Sequence, residues 1–194
     1  MIIRKMYKFE AAHIVRDCAS KRCSKSIHGH SYLVEFLLQS KGLDNGGMVI
    51  DFGLLKANLG QFADSFDHAL MVWDTDSIAL EVARISSDRV VVSPYNMTAE
   101  NMAKIFFMGA EGILHAANFH NGEQEIKVDS VIVHETATGY AQAFREDISE
   151  KDRLRMRELD FSPAIKDDWK DDHLGKYITH GKENIFSFDL PKEV

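Results

Sequence analysis

The chain has 194 residues, enough for one domain with a substantial core, and 30 acidic against 23 basic side chains give a formal charge of −7. That balance argues against a nucleic-acid partner, which needs a basic face to neutralise phosphates, but leaves room for a small anionic substrate where basic residues cluster. No run approaches the roughly 20 apolar residues that span a bilayer, and Met1-Ile2-Ile3-Arg4-Lys5 lacks an apolar signal-peptide core, so a soluble cytoplasmic protein without a membrane partner is expected. Cys18 and Cys23 are too few for a disulfide scaffold and are not spaced as Cys-x-x-Cys, so they read as free thiols in a reducing compartment.

Residues 3 to 14 alternate weakly, which predicts a first strand with Phe9, Ala11 and His13 on one face. The following loop holds Arg16, Lys21, Arg22 and Lys25 against one acid, Asp17; in an acidic protein this is either a seat for an anion or a solvated loop. A second strand is predicted from Ile27 to Leu38, with Tyr32, Val34, Phe36 and Leu38 continuing the face of His28 and His30. Asn45-Gly46-Gly47 marks a turn. Asp51 is then a candidate N-cap for a helix in which Leu55, Leu59, Phe62 and Phe66 recur at helical spacing as core positions. That helix gives way to loop at Phe66-Asp67-His68.

From Leu70 to Asn96 the pattern is less regular, with a short helix predicted around Ile78 to Arg84 and a brief strand at Val90-Val91-Val92. Thr98 is the predicted cap of a long helix whose Met102, Ile105, Phe106 and Ile113 share a face, and Glu100 in its first turn suits the helix dipole. Residues 126 to 135 alternate strictly, Ala137-Thr138-Gly139 can turn the chain, and a final strand runs through Phe144. The order strand, strand, helix, helix, strand, strand predicts an α+β domain over residues 1–145, with a four-stranded antiparallel sheet carrying two helices on one face. Beyond Arg145, a charged helix over residues 148 to 159 leads into a polar stretch with few periodic apolar positions. Residues 146–194 are therefore expected to be a helical and polar extension, docked on the domain or on a neighbouring subunit and without chemistry of its own.

Alternate residues of a strand share a face, so His28 and His30 can bind one metal ion or stand as two surface histidines. His13 joins them if the first two strands form an antiparallel hairpin. Three neutral imidazoles with an open fourth position are the ligand set of a catalytic zinc. The alternative is a closed structural zinc with Cys18 or Cys23 as fourth ligand. On residue chemistry alone, the cysteines, Asp67-His68 at a helix end and Glu135 at a strand end also read as ordinary structural residues.

Phe9-Glu10-Ala11-Ala12-His13, Cys23, His28-Gly29-His30-Ser31-Tyr32, Val49-Ile50-Asp51-Phe52, Phe66-Asp67-His68, Thr98-Ala99-Glu100-Asn101 and Glu135-Thr136, in this order, resemble the 6-pyruvoyl-tetrahydropterin synthase and 6-carboxytetrahydropterin synthase family. The similarity covers about residues 3 to 145. It implies a tunnelling fold (T-fold) whose subunits join their sheets into an oligomeric barrel, usually a homohexamer, with active sites between subunits. It also implies Zn2+ on His13, His28 and His30, a pterin triphosphate (7,8-dihydroneopterin triphosphate) as substrate, Cys23 with the pair Asp67 and His68 as catalytic groups, and Glu135 gripping the pterin. Thr98 and Glu100 are carried over as further substrate-binding residues.

The chemistry is sound on physical grounds. A thiolate at Cys23 can take a proton if nearby positive charge lowers its pKa from about 8.5, and Arg22 and Lys25 stand close in sequence. His68 oriented by Asp67 can relay protons near neutral pH, and a carboxylate such as Glu135 can accept paired N–H groups from a pterin edge. Three positions depart from the family pattern. Cys23 precedes His28 by five residues, an intermediate interval; Met97 stands where proline is common; His134 replaces a common lysine and is expected on the face opposite Glu135. The expectation is a zinc lyase forming 6-carboxy-5,6,7,8-tetrahydropterin for queuosine-type deazapurines. The alternatives are a 6-pyruvoyl-tetrahydropterin synthase, a metal-hydroxide hydrolase and a non-catalytic zinc or pterin binder.

Overall fold

A computed structural model describes residues 1–190; the last four residues of the expected extension lie outside the described residues. Strand β1 (Ile2–His13) and strand β2 (His28–Gln39) pair antiparallel along their whole length, from Ile2 opposite Gln39 to His13 opposite His28. Between them lies the short helix α1 (Lys21–Lys25). On the far side of β2, β6 (Lys127–Thr136) and β7 (Gly139–Phe144) continue the antiparallel sheet. These are the four predicted strands.

The sheet does not stop there. On the other side of β1, strand β3 (Ala69–Trp73) and strand β4 (Val90–Ser93) run parallel to it, joined by helix α3 (Ser77–Ser86), and a two-residue strand β8 (Asp160–Phe161) closes the edge antiparallel to β4. The result is a mixed seven-stranded sheet in the order β7-β6-β2-β1-β3-β4-β8, in place of the four antiparallel strands expected. The reason lies in the sequence of β3: Ala69, Leu70, Met71 and Val72 are all buried, and a parallel strand covered on both faces shows a continuous apolar run with no alternation to detect.

The stripe Leu55, Leu59, Phe62 and Phe66 is buried as expected, but its helix is broken. A 3₁₀ turn at Leu54–Lys56 leads through Ala57 (ψ −82°) into helix α2 (Asn58–Asp64). Asp51 does not cap it: its Oδ1 accepts from Gly53 N at 2.7 Å and closes a local turn instead. Helix α3 is capped by Asp76, and α4 (Ala99–Ala116) by Thr98, whose hydroxyl oxygen accepts from Asn101 N at 3.3 Å. Helix α4 is the core helix. Phe106 lies at its centre, with ring centroids 4.7 Å from Phe66, 5.0 Å from Phe62 and 5.8 Å from Phe9.

After Arg145 the chain forms α5 (Glu150–Arg155), with a Ser149–Asp152 capping box, then β8, α6 (Pro163–Lys166) and α7 (Leu174–His180). Two-residue strands β5 (Ala117–Asn118) and β9 (Phe188–Asp189) pair to fasten the end of this segment beside α4. Met156, Phe161, Ile165, Leu174, Tyr177 and Ile178 are buried in the same core as Phe9 and Phe106. Helix α7 sits directly on α4 because Gly112 has no side chain: a Cβ there would lie 1.9 Å from the Tyr177 carbonyl oxygen.

Candidate active site

The β1–β2 register sets His13 opposite His28, and the two-residue period brings His30 to the same face. One ligand nitrogen from each of the three imidazoles lies within 4.8 Å of the others. His13 is fully buried, and His28 and His30 are half-buried. His13 Nδ1–H donates to the Met97 carbonyl at 2.7 Å and His28 Nδ1–H donates to the Ser26 carbonyl at 3.0 Å, because a carbonyl can only accept. In the neutral imidazoles both Nε2 atoms then present lone pairs, 3.1 Å apart.

Two lone pairs at that separation repel unless a cation lies between them. Nitrogens bound tetrahedrally to one zinc at about 2.0–2.1 Å would stand about 3.3 Å apart, so the spacing fits such an ion. Burial pushes the His13 imidazole down to about pKa 4; the Met97 carbonyl acts against this, and the neighbouring His28 and His30 add to it. His13 is therefore a neutral imidazole at neutral pH. Among the described residues neither cysteine joins the group, which removes the support for a closed four-ligand site.

The wall of the site adds two groups. The Tyr32 hydroxyl lies 3.2 Å from His13 Nδ1, with its ring stacked on Phe9 at 5.1 Å. Burial, assisted by the charge of Glu135, pushes its pKa well above the usual phenol range, so it stays protonated. Glu135 Oε1 is 3.7 Å from His13 Nε2. The β6–β7 register shifts between His134 and Thr136, so Glu135 falls in a bulge, the device by which strands re-aim a side chain. His134 points elsewhere: it bonds Glu35 Oε1 at 2.6 Å, and Arg4 holds the other oxygen of Glu35 at 2.9 Å.

Asp67 and His68 form a pair at the start of β3. His68 Nδ1–H donates to Asp67 Oδ2 at 2.9 Å, leaving Nε2 outward, while Asp67 Oδ1 accepts from Glu10 N at 2.8 Å and His68 N donates to Glu10 O at 2.7 Å. Asp67 is thus tied to β1 and is not a helix cap. His68 has φ of 56° and a side chain 77% exposed. A cavity of about 510 Å³ is lined by both His30 and His68, with Glu10 and Ser31.

Cys23 lies half-buried in α1, and its carbonyl accepts from Val15 N at 3.1 Å, which ties α1 to the end of β1. Among the described residues its thiol makes no hydrogen bond, whereas Cys18 Sγ lies 3.3 Å from the Val15 and Ser20 carbonyls. Arg16 is not free for an anion. It pairs with Asp76 and donates to the Ser24 carbonyl at 2.7 Å, and this pairing holds the Asp76 carboxyl below its usual range. Thr98 is engaged as the α4 cap, and Glu100 is exposed on the first turn.

The structure therefore gathers His13, His28, His30, Tyr32 and Glu135, sets His68 on the cavity that also reaches His30, and leaves the Cys23 thiol unbonded. Tyr32 and the Met97 carbonyl were missed. Tyr32 was placed on the histidine face by its parity with His30 but given no role there, and a backbone carbonyl carries no residue signature.

The histidine cluster at the end of the central hairpin of an α+β sheet gives the class of protein: an α+β domain with a candidate metal centre. A family model described as 6-pyruvoyl tetrahydropterin synthase matches residues 2–146. Two Helicobacter pylori proteins named 6-carboxy-5,6,7,8-tetrahydropterin synthase are 39% and 40% identical over 193 residues, covering 96% of this chain and 96% of theirs. An Aquifex aeolicus protein of the same name is 27% identical, covering 72% of this chain and 95% of its own. Among solved structures, an uncharacterized Wolinella succinogenes protein has a TM-score of 0.58 at 20% identity, covering 75% of this chain and 98% of its own. Caenorhabditis elegans 6-pyruvoyl tetrahydropterin synthase has a TM-score of 0.51 at 21% identity, covering 74% of this chain and 94% of its own; these two likenesses bear on the fold. The chain belongs to the 6-pyruvoyl tetrahydropterin synthase family, and it is a lyase of the 6-carboxytetrahydropterin synthase type.

Proposed function

We propose that this lyase converts 7,8-dihydroneopterin triphosphate and water to 6-carboxy-5,6,7,8-tetrahydropterin, acetaldehyde and triphosphate, an early step toward queuosine and other deazapurines. The observation that carries the choice of product is the likeness to the two Helicobacter pylori synthases, which extends over 96% of both chains. The three imidazoles, two with Nδ1–H committed to a carbonyl, support His13, His28 and His30 as zinc ligands. Zinc bound there would supply polarisation of side-chain oxygens, which acidifies the adjoining C–H bonds.

The protein's own groups then divide the work. Glu135, aimed by its bulge, accepts the N–H edge of the pterin and fixes the ring. His68, held in one tautomer by Asp67, gives and takes protons at Nε2. Cys23, beside Arg22 and Lys25, removes a side-chain proton as thiolate. Thr98 and Glu100, at the N-terminus of α4, serve in this reading as further substrate-binding residues. The exposed position of His68 supports a site completed by a neighbouring subunit, in a cytoplasmic homohexamer whose catalytic body is residues 1–145 and whose extension is residues 146–194.

The intermediate interval of five residues between Cys23 and His28 keeps one second reading open, elimination of triphosphate to 6-pyruvoyl-tetrahydropterin. Incubating the zinc-loaded protein with 7,8-dihydroneopterin triphosphate and weighing the products separates the two. Acetaldehyde with a carboxylated pterin is expected. Pyruvoyl-pterin without acetaldehyde would transfer the assignment to the second reading, and absence of turnover would refute both.

A further inference from the structure

The family model ends at residue 146, yet the chain continues and builds contacts onto one particular place, the segment that carries Asp67 and His68. Asp168, just after α6, forms an ion pair with Arg89. The same guanidinium donates through Nε to the Asp67 carbonyl at 2.9 Å and through a terminal nitrogen to the Asp64 carbonyl at 3.2 Å. Next in sequence, Trp169 Nε1–H donates to Ser65 Oγ at 2.9 Å, and its ring meets Phe161 at 5.4 Å. Phe161 in turn meets Phe66 edge-on at 5.7 Å. From Asp64 to Asp67, each residue is touched by the extension or by the arginine that the extension holds.

On its other side the pair is fixed to the Glu10 backbone through Asp67 Oδ1 and His68 N. His68 itself adopts a left-handed backbone, φ 56°, which a β-carbon disfavours and which persists only where surroundings enforce it. A side chain this exposed gains nothing from core packing, so its direction depends on the backbone beneath it. Arg89 immediately precedes β4 and is itself placed by Leu70 N donating to its carbonyl at 2.9 Å.

We propose that the C-terminal extension is a brace for the Asp67–His68 pair, with Arg89, Asp168 and Trp169 as positioning residues. The idea rests on the reading of that pair as the proton relay. It gives the extension a role in turnover beyond closing the core. Asp168 fixes the guanidinium, the guanidinium fixes two carbonyls of the turn, and Trp169 fixes the hydroxyl between them.

The test uses full-length, zinc-loaded enzyme carrying Asp168→Asn, Trp169→Phe or His68→Ala, assayed well below each variant's own melting temperature. Asp168→Asn and Trp169→Phe are each expected to lower kcat roughly ten-fold, as small misplacements of a reacting group do, with KM and zinc content unchanged. Asp168→Glu should restore most of the loss. In parallel, amide exchange at Asp67 and His68 should speed up in both variants while the β1–β2 hairpin exchanges as in the parent. Parental kcat in both variants, with His68→Ala inactive, would overturn the brace and leave the relay standing. Turnover retained by His68→Ala would overturn the relay and the brace with it. A loss of zinc in proportion to kcat would also overturn the brace, since the damage would then be general.

Discussion

The His13 imidazole shows how much one buried residue can carry. It is fully buried, its Nδ1–H is committed to Met97 O, and its pKa is lowered from 6.5 to about 4, chiefly by burial. The folded metal-free protein therefore declines a proton that the unfolded chain accepts. Between pH 6.5 and about 4 the unfolded state binds more protons, so stability falls as pH falls through that window and levels off below it. The size of the effect is on the order of 3 kcal/mol. Denaturant titrations of EDTA-treated protein at pH 7.5 and 4.5 check it; equal midpoints would contradict it. Glu135 gives the complementary case. Glu135→Gln keeps the shape but removes the charge that two pterin N–H groups would share, so KM for the pterin should rise about ten- to hundred-fold, with bound zinc unchanged by metal analysis.

The shared face of His28 and His30 was legible from the strand period, and His13 joined them on the assumption of an antiparallel hairpin, with the resemblance singling out the three as a set. The bare Nε2 pair was not, since its cause is two carbonyls, those of Met97 and Ser26, that no side-chain pattern announces.

At the scale of elements, long periodic segments were legible, as were the short helix α3 and the brief strand β4, whereas β3, α6 and α7 were not. Helix α4 and strands β2 and β6 carry their periods over ten residues or more, and β1 does so weakly over a similar length. By contrast β3 shows no alternation because both its faces are covered, and α6 and α7 are only four and seven residues long, too short for a helical stripe to repeat. The α4–α7 contact makes a direct prediction. Gly112→Ala would gain roughly 1 kcal/mol of helix propensity, but the new methyl would meet the Tyr177 carbonyl at 1.9 Å and Gly181 Cα at 3.0 Å. Backbone cannot swing aside as a side-chain end can, so the overpacking penalty of about 3 kcal/mol or more dominates. Thermal melts should show a midpoint roughly 5–10 °C lower, while Gly47→Ala, in an open turn, should fall by less.

For the molecule as a whole, the question is whether the body folds without its extension. The polar composition after Arg145 suggests an appendage, but Met156, Leu159, Phe161, Ile165, Leu174, Tyr177, Ile178 and Leu190 are each buried and share the core of the body. These eight side chains contribute about 1.5–3 kcal/mol apiece by apolar burial, an upper bound because unfolded chains already bury part of that surface. Their sum nevertheless rivals the 5–15 kcal/mol that typically separates folded from unfolded states. Cutting the chain after Arg145 would also remove one of the aromatic neighbours of Phe66, Phe161, open the β4 edge and uncover the face of α4 at Gly109 and Gly112. The truncated chain is therefore expected to lose cooperative thermal unfolding and to aggregate. Scanning calorimetry of the truncated and full-length chains decides it. A cooperative transition in the shorter chain, within a few degrees of the parent, would mean that the sheet and α4 hold together on their own.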